Sequence, residues 1–334
     1  MDPVQLKIGI VGAGAIGTAL AGSLMLAGQP VMVVARGARR DVILRHGLRW
    51  RENDEVRTVV PKIGEMHELA DRDVVIIATK ATALPDLLPQ VTSVLAPMAR
   101  VMPAVNGLPW WYFQNEGSLS ATMLPIHPGA HLQALLPADR VIGCVVYSRA
   151  SMRDDGEVEI FGRQRLKIGS IGPAPQPEAL AAQLAEAGIA VSLEENIRRE
   201  VWRKMVRNAS TNLVSGLTGA TLEQIGQDSE LLEVACAIAR EVVSLSHHVG
   251  CPAEVDMAEF IDEIRRAGPF ATSMLQDIRA GREPELDALA AVPLEVAKFI
   301  NCEMPTLRHI AALLQAQLRN ERHCCGSPSY SAPS

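Results

Sequence analysis

Lys7-Ile8-Gly9-Ile10-Val11-Gly12-Ala13-Gly14-Ala15-Ile16-Gly17 is the stretch whose reading decides the fold. A short β-branched run stops at Gly12, and Gly12, Gly14 and Gly17 follow with G-x-G-x-x-G spacing. The Ala/Leu-rich segment Ala15–Ala27 reads as a helix, and Val31–Ala35 as a second strand. A dinucleotide site needs that order. The first glycine makes the tight strand-to-helix turn, the second lets backbone approach a pyrophosphate, and the third lets helix pack on strand. The N–H groups at Ala15, Ile16 and Gly17 then open a helix whose N-terminus favours phosphate. Lone glycine-rich turns are common. Strand, turn, helix and strand together point to nucleotide binding.

The end of the second strand bears on which nucleotide. Sites for the unphosphorylated dinucleotide place an acid there against the ribose hydroxyls, whereas a 2′-phosphate calls for a base. Here the chain reads Val33-Val34-Ala35-Arg36-Gly37-Ala38-Arg39-Arg40, with no acid before Asp41. Arg36 stands where the acid would be. A guanidinium donates parallel hydrogen bonds while staying charged, so NADPH/NADP+ is the expected cofactor.

The 334 residues suffice for two domains, and a 48% hydrophobic share fits sizeable cores. A net charge of −6 without a long basic tract argues against nucleic acid as the main partner. No charged residue occurs between Lys7 and Arg36. Five glycines from Gly9 to Gly22 break that run, and its parts follow strand–turn–helix logic, so it reads as buried strand and helix. No membrane segment and no export signal are read. Six cysteines at 144, 236, 251, 302, 324 and 325 form no C-x-x-C, and the expected setting is cytoplasmic with reduced thiols. No metal site is expected. His323-Cys324-Cys325 opens a tail rich in Gly, Ser and Pro, and residues 321–334 read as disordered.

Further along, Leu48–Arg51 and Val56–Val60 read as a hairpin insertion. Asp73–Thr79 reads as a buried strand ending at Lys80, Ala81–Leu95 as helix, and Val101–Ala104 as a strand delivering Asn106-Gly107. Gly12–Gly17, Arg36, Lys80 and Asn106 thus share the carboxyl ends of strands, where open parallel sheets bind ligands. Trp110-Trp111-Tyr112-Phe113 either lines a substrate pocket or caps the sheet edge. His127 and His131 enclose Pro128-Gly129 and read as surface histidines. Val141–Ser148, Glu157–Phe161 and Arg165–Ile168 suggest antiparallel additions to the sheet, followed by helix Glu178–Ala187 and strand Ala190–Leu193. From Asn196 to Arg319 only helices are read. The expected architecture is α/β, with a Rossmann-type doubly wound sheet over residues 1–195 and an all-helical substrate and catalytic domain over 196–320.

The first long helix of the second part carries Lys204, Asn208 and Asn212 at i, i+4 and i+8, along one stripe. An ammonium and two carboxamides so aligned can donate several hydrogen bonds to an oxygen-rich ligand, although a solvated face shows the same spacing. Ser273-Met-Leu-Gln-Asp277 and Glu285-Leu-Asp287 read on pattern alone as another amphipathic helix and a turn.

With these motifs together, the chain resembles the 2-dehydropantoate 2-reductase (ketopantoate reductase) family from Lys7 to about Arg319. The matching pieces are Gly12-Ala-Gly-Ala-Ile-Gly17, Thr79-Lys80, Asn106-Gly107, Trp202-Arg-Lys204 with Asn208, and Ser273-Met-Leu-Gln-Asp277 followed by Glu285-Leu-Asp287. The resemblance implies a Rossmann domain, a helical domain and an active site in the cleft between them. It implies that Lys204 protonates a ketone oxygen as hydride arrives from the nicotinamide, and that Glu285 accepts from the substrate hydroxyl. Asn208 and Asn212 would hold substrate oxygens or Lys204, and Ser273 the carboxylate. Lys80 and Asn106 would lie near nicotinamide and ribose, with Arg36 at the 2′-phosphate.

Three departures touch the substrate side. Ala290-Ala291 stand where the family usually has Asn-Gly, Leu213 stands where proline usually follows the second helix asparagine, and the loop after Asn106 looks long. The implied reaction is NADPH-dependent reduction of ketopantoate to pantoate in pantothenate biosynthesis. A reductase of another 2-oxo acid, and a non-catalytic NADP(H) sensor, remain as alternatives. Leu231–Val249 and Pro293–Leu318 offer apolar faces for core or a dimer seam, and a homodimer is the expected assembly.

Overall fold

The computed structural model describes residues 5–114 and 130–325, so His127 and residues 326–334 lie outside the described residues. Contacts divide the chain into two compact units, Met1–Val201 and Trp202–Ser334.

In the first unit, β1 (Ile8–Val11), β2 (Val31–Val34), β5 (Lys62–Ile63), β6 (Val74–Ile77) and β7 (Arg100–Pro103) form a five-stranded sheet ordered β5-β2-β1-β6-β7. Every pairing in it is parallel. The order reverses direction between β1 and β6, the switch point at which a doubly wound sheet opens a crevice beyond its strand ends. β1, β2 and β6 are buried along their length, which accounts for their apolar, largely Val/Ile character.

Helix α1 (Ala15–Leu26) has almost no polar face, and the structure gives the reason. Leu20, Ala21 and Leu24 pack with Ile8, Ile10 and Val33 of the five-stranded sheet. On another side, Ala19 packs against Trp50, Val158 and Ile160 of a second sheet. A Cβ at Gly22 would stand 2.7 Å from the Trp50 ring, so glycine lets that indole seat against the helix. A helix covered on both sides is apolar all round.

The second sheet corrects the expected antiparallel additions. β3 (Leu48–Glu52) and β4 (Glu55–Val59) form the expected hairpin. They join β9 (Arg149–Met152) and β10 (Val158–Phe161) in a separate sheet ordered β4-β3-β10-β9, in which β10 runs parallel to β3. β8 (Ile142–Val146), β11 (Arg165–Ser170) and β12 (Ala190–Leu193) form a third sheet, antiparallel between β8 and β11 and parallel between β11 and β12. Among the described residues a single bridge, Val101 to Val141, links β7 to the start of β8. Helices α2 (Gly37–His46), α3 (Leu84–Thr92) and α4 (Glu178–Glu186) complete the unit.

Arg36–Arg40 is the entry to α2: Arg36 is its extended N-cap. The aromatic run packs as core, with Trp110, Trp111, Tyr112 and Phe113 at most 3% exposed. Its backbone is fastened by Gln133 Nε2 to the Trp110 carbonyl at 2.8 Å and by Arg198 Nε to the Tyr112 carbonyl at 2.7 Å.

After Leu193 every regular element among the described residues is helical. α5 (Ile197–Thr218) leads into the second unit, which continues with α6 (Leu222–Gln227), α7 (Ser229–His248), α8 (Met257–Arg266), α9 (Ser273–Arg279), α10 (Val292–Phe299) and α11 (Pro305–Cys325). Side chains set the starts. Asp228 caps α7, Asp256 caps α8, Thr272 caps α9 and Thr221 forms a capping box with Gln224. α11 runs on through Glu321–Cys325, part of the stretch expected to be disordered. No helix among the described residues is long and apolar enough to cross a membrane.

Candidate functional site

In the first unit, the glycine-rich turn is built by steric necessity. Gly12 has φ +100°, which favours glycine, and a Cβ there would stand 2.7 Å from Thr79 Cγ2 and 2.8 Å from the Ala78 carbonyl oxygen. A Cβ on Gly17 would collide with the Gly12 carbonyl oxygen, so the third glycine sets how closely α1 sits on β1. Gly14 is different. Its Cβ would meet nothing nearer than the Ala78 oxygen at 3.9 Å, so the backbone there is open on that side. Gly14 is the N-cap of α1, no side chain caps the helix, and its first turn holds no acid. The N–H groups of Ala15, Ile16 and Gly17 therefore stand at an uncapped positive helix end.

The Ala13 carbonyl behind this turn is held by two donors, Arg39 Nε at 2.7 Å and Thr18 Oγ1 at 3.2 Å. Arg36 is exposed, and among the described residues it makes no ion pair. Arg40, by contrast, reaches Glu65 at 2.8 Å. At the end of β6, Lys80 is half-buried and begins a short 3₁₀ turn, Ala81–Ala83. Beside it the Thr79 hydroxyl is buried with no hydrogen-bond partner among the described residues. Asn106, half-buried, follows β7. An open glycine backbone, an uncapped helix end and an orphaned hydroxyl, all beyond adjacent parallel strands, fit a dinucleotide.

The second unit assembles the other candidate residues. Lys204 and Asn208 are half-buried on α5, and Asn212, one turn further, is buried. Asn212 uses both ends of its amide. Its Nδ2 donates to the Asn208 carbonyl at 2.9 Å, while its Oδ1 accepts from Ser273 Oγ and from the Met274 N–H, each at 3.2 Å. Two motifs 61 residues apart in sequence are thereby brought together, since the start of α9 is tied to the α5 stripe. Glu285 is half-buried just before a π-helical turn, Asp287–Ala291, which runs into α10. Ala290 sits buried in that turn at 1% exposed, and Ala291 is exposed. Among the described residues no group of three or more His, Cys, Asp or Glu could hold a metal ion, and His131 is exposed on a short turn.

The sequence assigned no role to Arg39 or Thr18, and Thr79 entered only beside Lys80 in a motif. Arg39 looked like one more basic residue, and a threonine in an apolar helix carries no motif. The one legible signal was Thr79-Lys80 at the end of a buried strand.

An open parallel sheet with a glycine-rich turn at its switch point, joined in sequence to a helical unit, defines a Rossmann-type fold. Family models for "Ketopantoate reductase PanE/ApbA" match residues 8–173, and those for its C-terminal part match residues 196–318. The chain belongs to the ketopantoate reductase family, oxidoreductases acting on CH–OH groups. It is 33% identical over 325 residues to the 2-dehydropantoate 2-reductase of Mesorhizobium japonicum, covering 96% of this chain and 99% of that one. A PanE/ApbA family ketopantoate reductase from Ralstonia eutropha JMP134 is 25% identical with a TM-score of 0.81, over 95% of this chain and 100% of that one. D-mandelate dehydrogenase, solved with NADH and anilino(oxo)acetate, shares the fold at 22% identity and a TM-score of 0.81, over 95% of this chain and 100% of that one.

Proposed function

We propose that the protein reduces 2-dehydropantoate to pantoate with NADPH, and that Lys204 supplies the proton. The observation that carries the reading is the Asn212–Ser273 hydrogen bond, because it joins the Lys204 helix to the serine motif without help from a ligand. The Mesorhizobium relative, named for this reaction, supports it.

When bound, the dinucleotide supplies hydride to the substrate's 2-oxo carbon. Gly12, Gly14 and Gly17 would admit its pyrophosphate, with the N–H groups of Ala15 and Ile16 as donors. Arg36 would take the 2′-phosphate, and Lys80 and Asn106 the ribose and nicotinamide side. Lys204 donates a proton to the ketone oxygen, and its ammonium stabilises the developing alkoxide before the proton moves. Glu285 accepts from the substrate hydroxyl and so fixes which face is presented. Ser273 would turn its one hydroxyl proton, here donated to Asn212 Oδ1, to the carboxylate. Asn208 would offer its side-chain amide to the substrate, and Asn212 would keep the start of α9 in place through the Met274 N–H.

The test is loss of NADPH absorbance with 2-dehydropantoate and a panel of bulkier 2-oxo acids, run beside Lys204→Ala. General acid catalysis contributes roughly 10²–10⁴-fold, so Lys204→Ala should lose at least about a hundredfold in kcat while remaining folded. Near-normal turnover by the variant contradicts the proton role. A second reading, reduction of a different 2-oxo acid, draws on Ala290-Ala291, which put only methyl groups in the π turn beside Glu285. Faster turnover of a bulkier acid than of 2-dehydropantoate would favour it.

A further inference from the structure

Arg39 lies in the first turn of α2, three residues past Arg36. Its guanidinium donates three separate hydrogen bonds: Nε to the Ala13 carbonyl at 2.7 Å, Nη2 to Thr18 Oγ1 at 2.9 Å and Nη1 to the Gly156 carbonyl at 2.8 Å. Thr18 is fully buried and adds its own bond to Ala13. One planar fork thus spans the glycine-rich turn, the helix that leaves it and the turn between β9 and β10. Every acceptor is neutral, and among the described residues no carboxylate pairs with Arg39. Burial alone pushes its pKa below the ordinary arginine value.

The peptide unit decides what this holding does. Carbonyl and N–H of a trans peptide point in opposite directions, and the structure contains no cis bond among the described residues. With the Ala13 carbonyl fixed on the side of Arg39 and Thr18, the Gly14 N–H faces away from them. That N–H donates to no acceptor among the described residues. Gly14 then enters α1, so the same peptide plane sets the direction in which the first helical N–H groups are offered.

We propose that Arg39 is a positioning residue for dinucleotide binding: it locks the Ala13–Gly14 peptide and so aims the pyrophosphate donors, while touching neither phosphate nor ribose. This rests on the dinucleotide reading above. Arg36 and Arg39, three residues apart, then have different tasks. Arg36 selects the 2′-phosphate, and Arg39 sets the affinity for any dinucleotide. Gly156 belongs to the device. Its φ is +81°, and a Cβ there would stand 2.8 Å from Arg39 Nη1, so only glycine lets the guanidinium seat.

The experiment titrates wild type, Arg39→Ala, Arg39→Lys, Gly156→Ala and Arg36→Ala with NADPH and with NADH by nucleotide fluorescence. Adenosine 2′-monophosphate, which lacks the pyrophosphate, competes in parallel, and circular dichroism checks folding. Arg39→Ala should weaken NADPH and NADH alike by about tenfold or more, with their ratio and the adenosine 2′-monophosphate affinity unchanged. In turnover its KM for NADPH rises while kcat at saturation holds. Arg39→Lys keeps the charge but cannot reach three acceptors, so it should behave nearly as the alanine variant does. Gly156→Ala should weaken both dinucleotides in the same direction from a position behind the turn. Arg36→Ala should instead collapse the NADPH/NADH ratio.

If Arg39→Ala lost NADPH affinity selectively, Arg39 would be a phosphate ligand and the proposal would fall. If it bound both dinucleotides as wild type does, Arg39 would be a tertiary tie only, and the proposal would fall equally. Wild type binding neither dinucleotide is a separate result: it removes the cofactor reading itself and this proposal with it.

Discussion

At Gly17 a Cβ would strike the Gly12 carbonyl, whereas at Gly14 the nearest atom to a Cβ is 3.9 Å away. Two glycines of one motif therefore answer to different demands, one to packing and one to ligand approach. Gly17→Ala must push α1 off β1 and should destabilise the protein by about 3 kcal/mol, the upper end for overpacking, read by urea unfolding. Gly14 has φ −69°, which any residue adopts, so Gly14→Ala should keep its unfolding midpoint and lose nucleotide affinity. A stable Gly17→Ala protein, or a Gly14→Ala protein that binds NADPH normally, would contradict this division. The motif's spacing was legible in the sequence because both demands select the same residue. Arg39 was not legible: what separates it from Arg36 and Arg40 is the distant Gly156 carbonyl it meets, and spacing carries no trace of that.

Among the elements, β1, β2, β6, β7 and the long helices were readable because an apolar run or period writes itself locally, whereas the two-residue β5 was not. The sheet membership of β3, β8, β9 and β10 was not. Alternation says that a strand has one covered face, but not which strand lies beside it. Here Trp50 and the glycine opposite it, Gly22, make a second layer over α1, and that layer recruits strands from both ends of the unit. The α5 stripe shows the same limit. Helical spacing put Lys204, Asn208 and Asn212 in line, yet Asn212 is turned inward to hold α9 by its N-terminus. Asn212→Ala strands the Met274 N–H, and losing the partner of a buried group costs about 1–3 kcal/mol. Chemical denaturation should show that loss. A reduced kcat that Asn212→Asp fails to restore fits the same picture, because a carboxylate keeps the acceptor but cannot donate to the Asn208 carbonyl. An Asn212→Ala protein of wild-type stability would show that the α5–α9 tie carries no weight.

For the molecule as a whole, the cysteines offer a readout of each compact unit. Cys144 lies in the first unit, and Cys236, Cys251 and Cys302 in the second, all buried. Burial pushes the Cys236 thiol above its ordinary value, which lowers its reactive thiolate fraction further. Alkylation of the native protein, read site by site by mass spectrometry, must therefore wait for opening of the surrounding structure. When opening and closing are fast relative to alkylation, the rate tracks the open population. A ligand that binds only the folded first unit reduces that population by its own occupancy. At a hundred times its dissociation constant the stabilisation is about 2.7 kcal/mol, so NADPH should slow labelling of Cys144 by about a hundredfold. If Cys144 opens only by small local fluctuation, the effect will be smaller, and sub-denaturing urea restores the link to unit opening. Unchanged labelling of Cys144 in urea, at saturating NADPH, would mean that the first unit does not hold the cofactor.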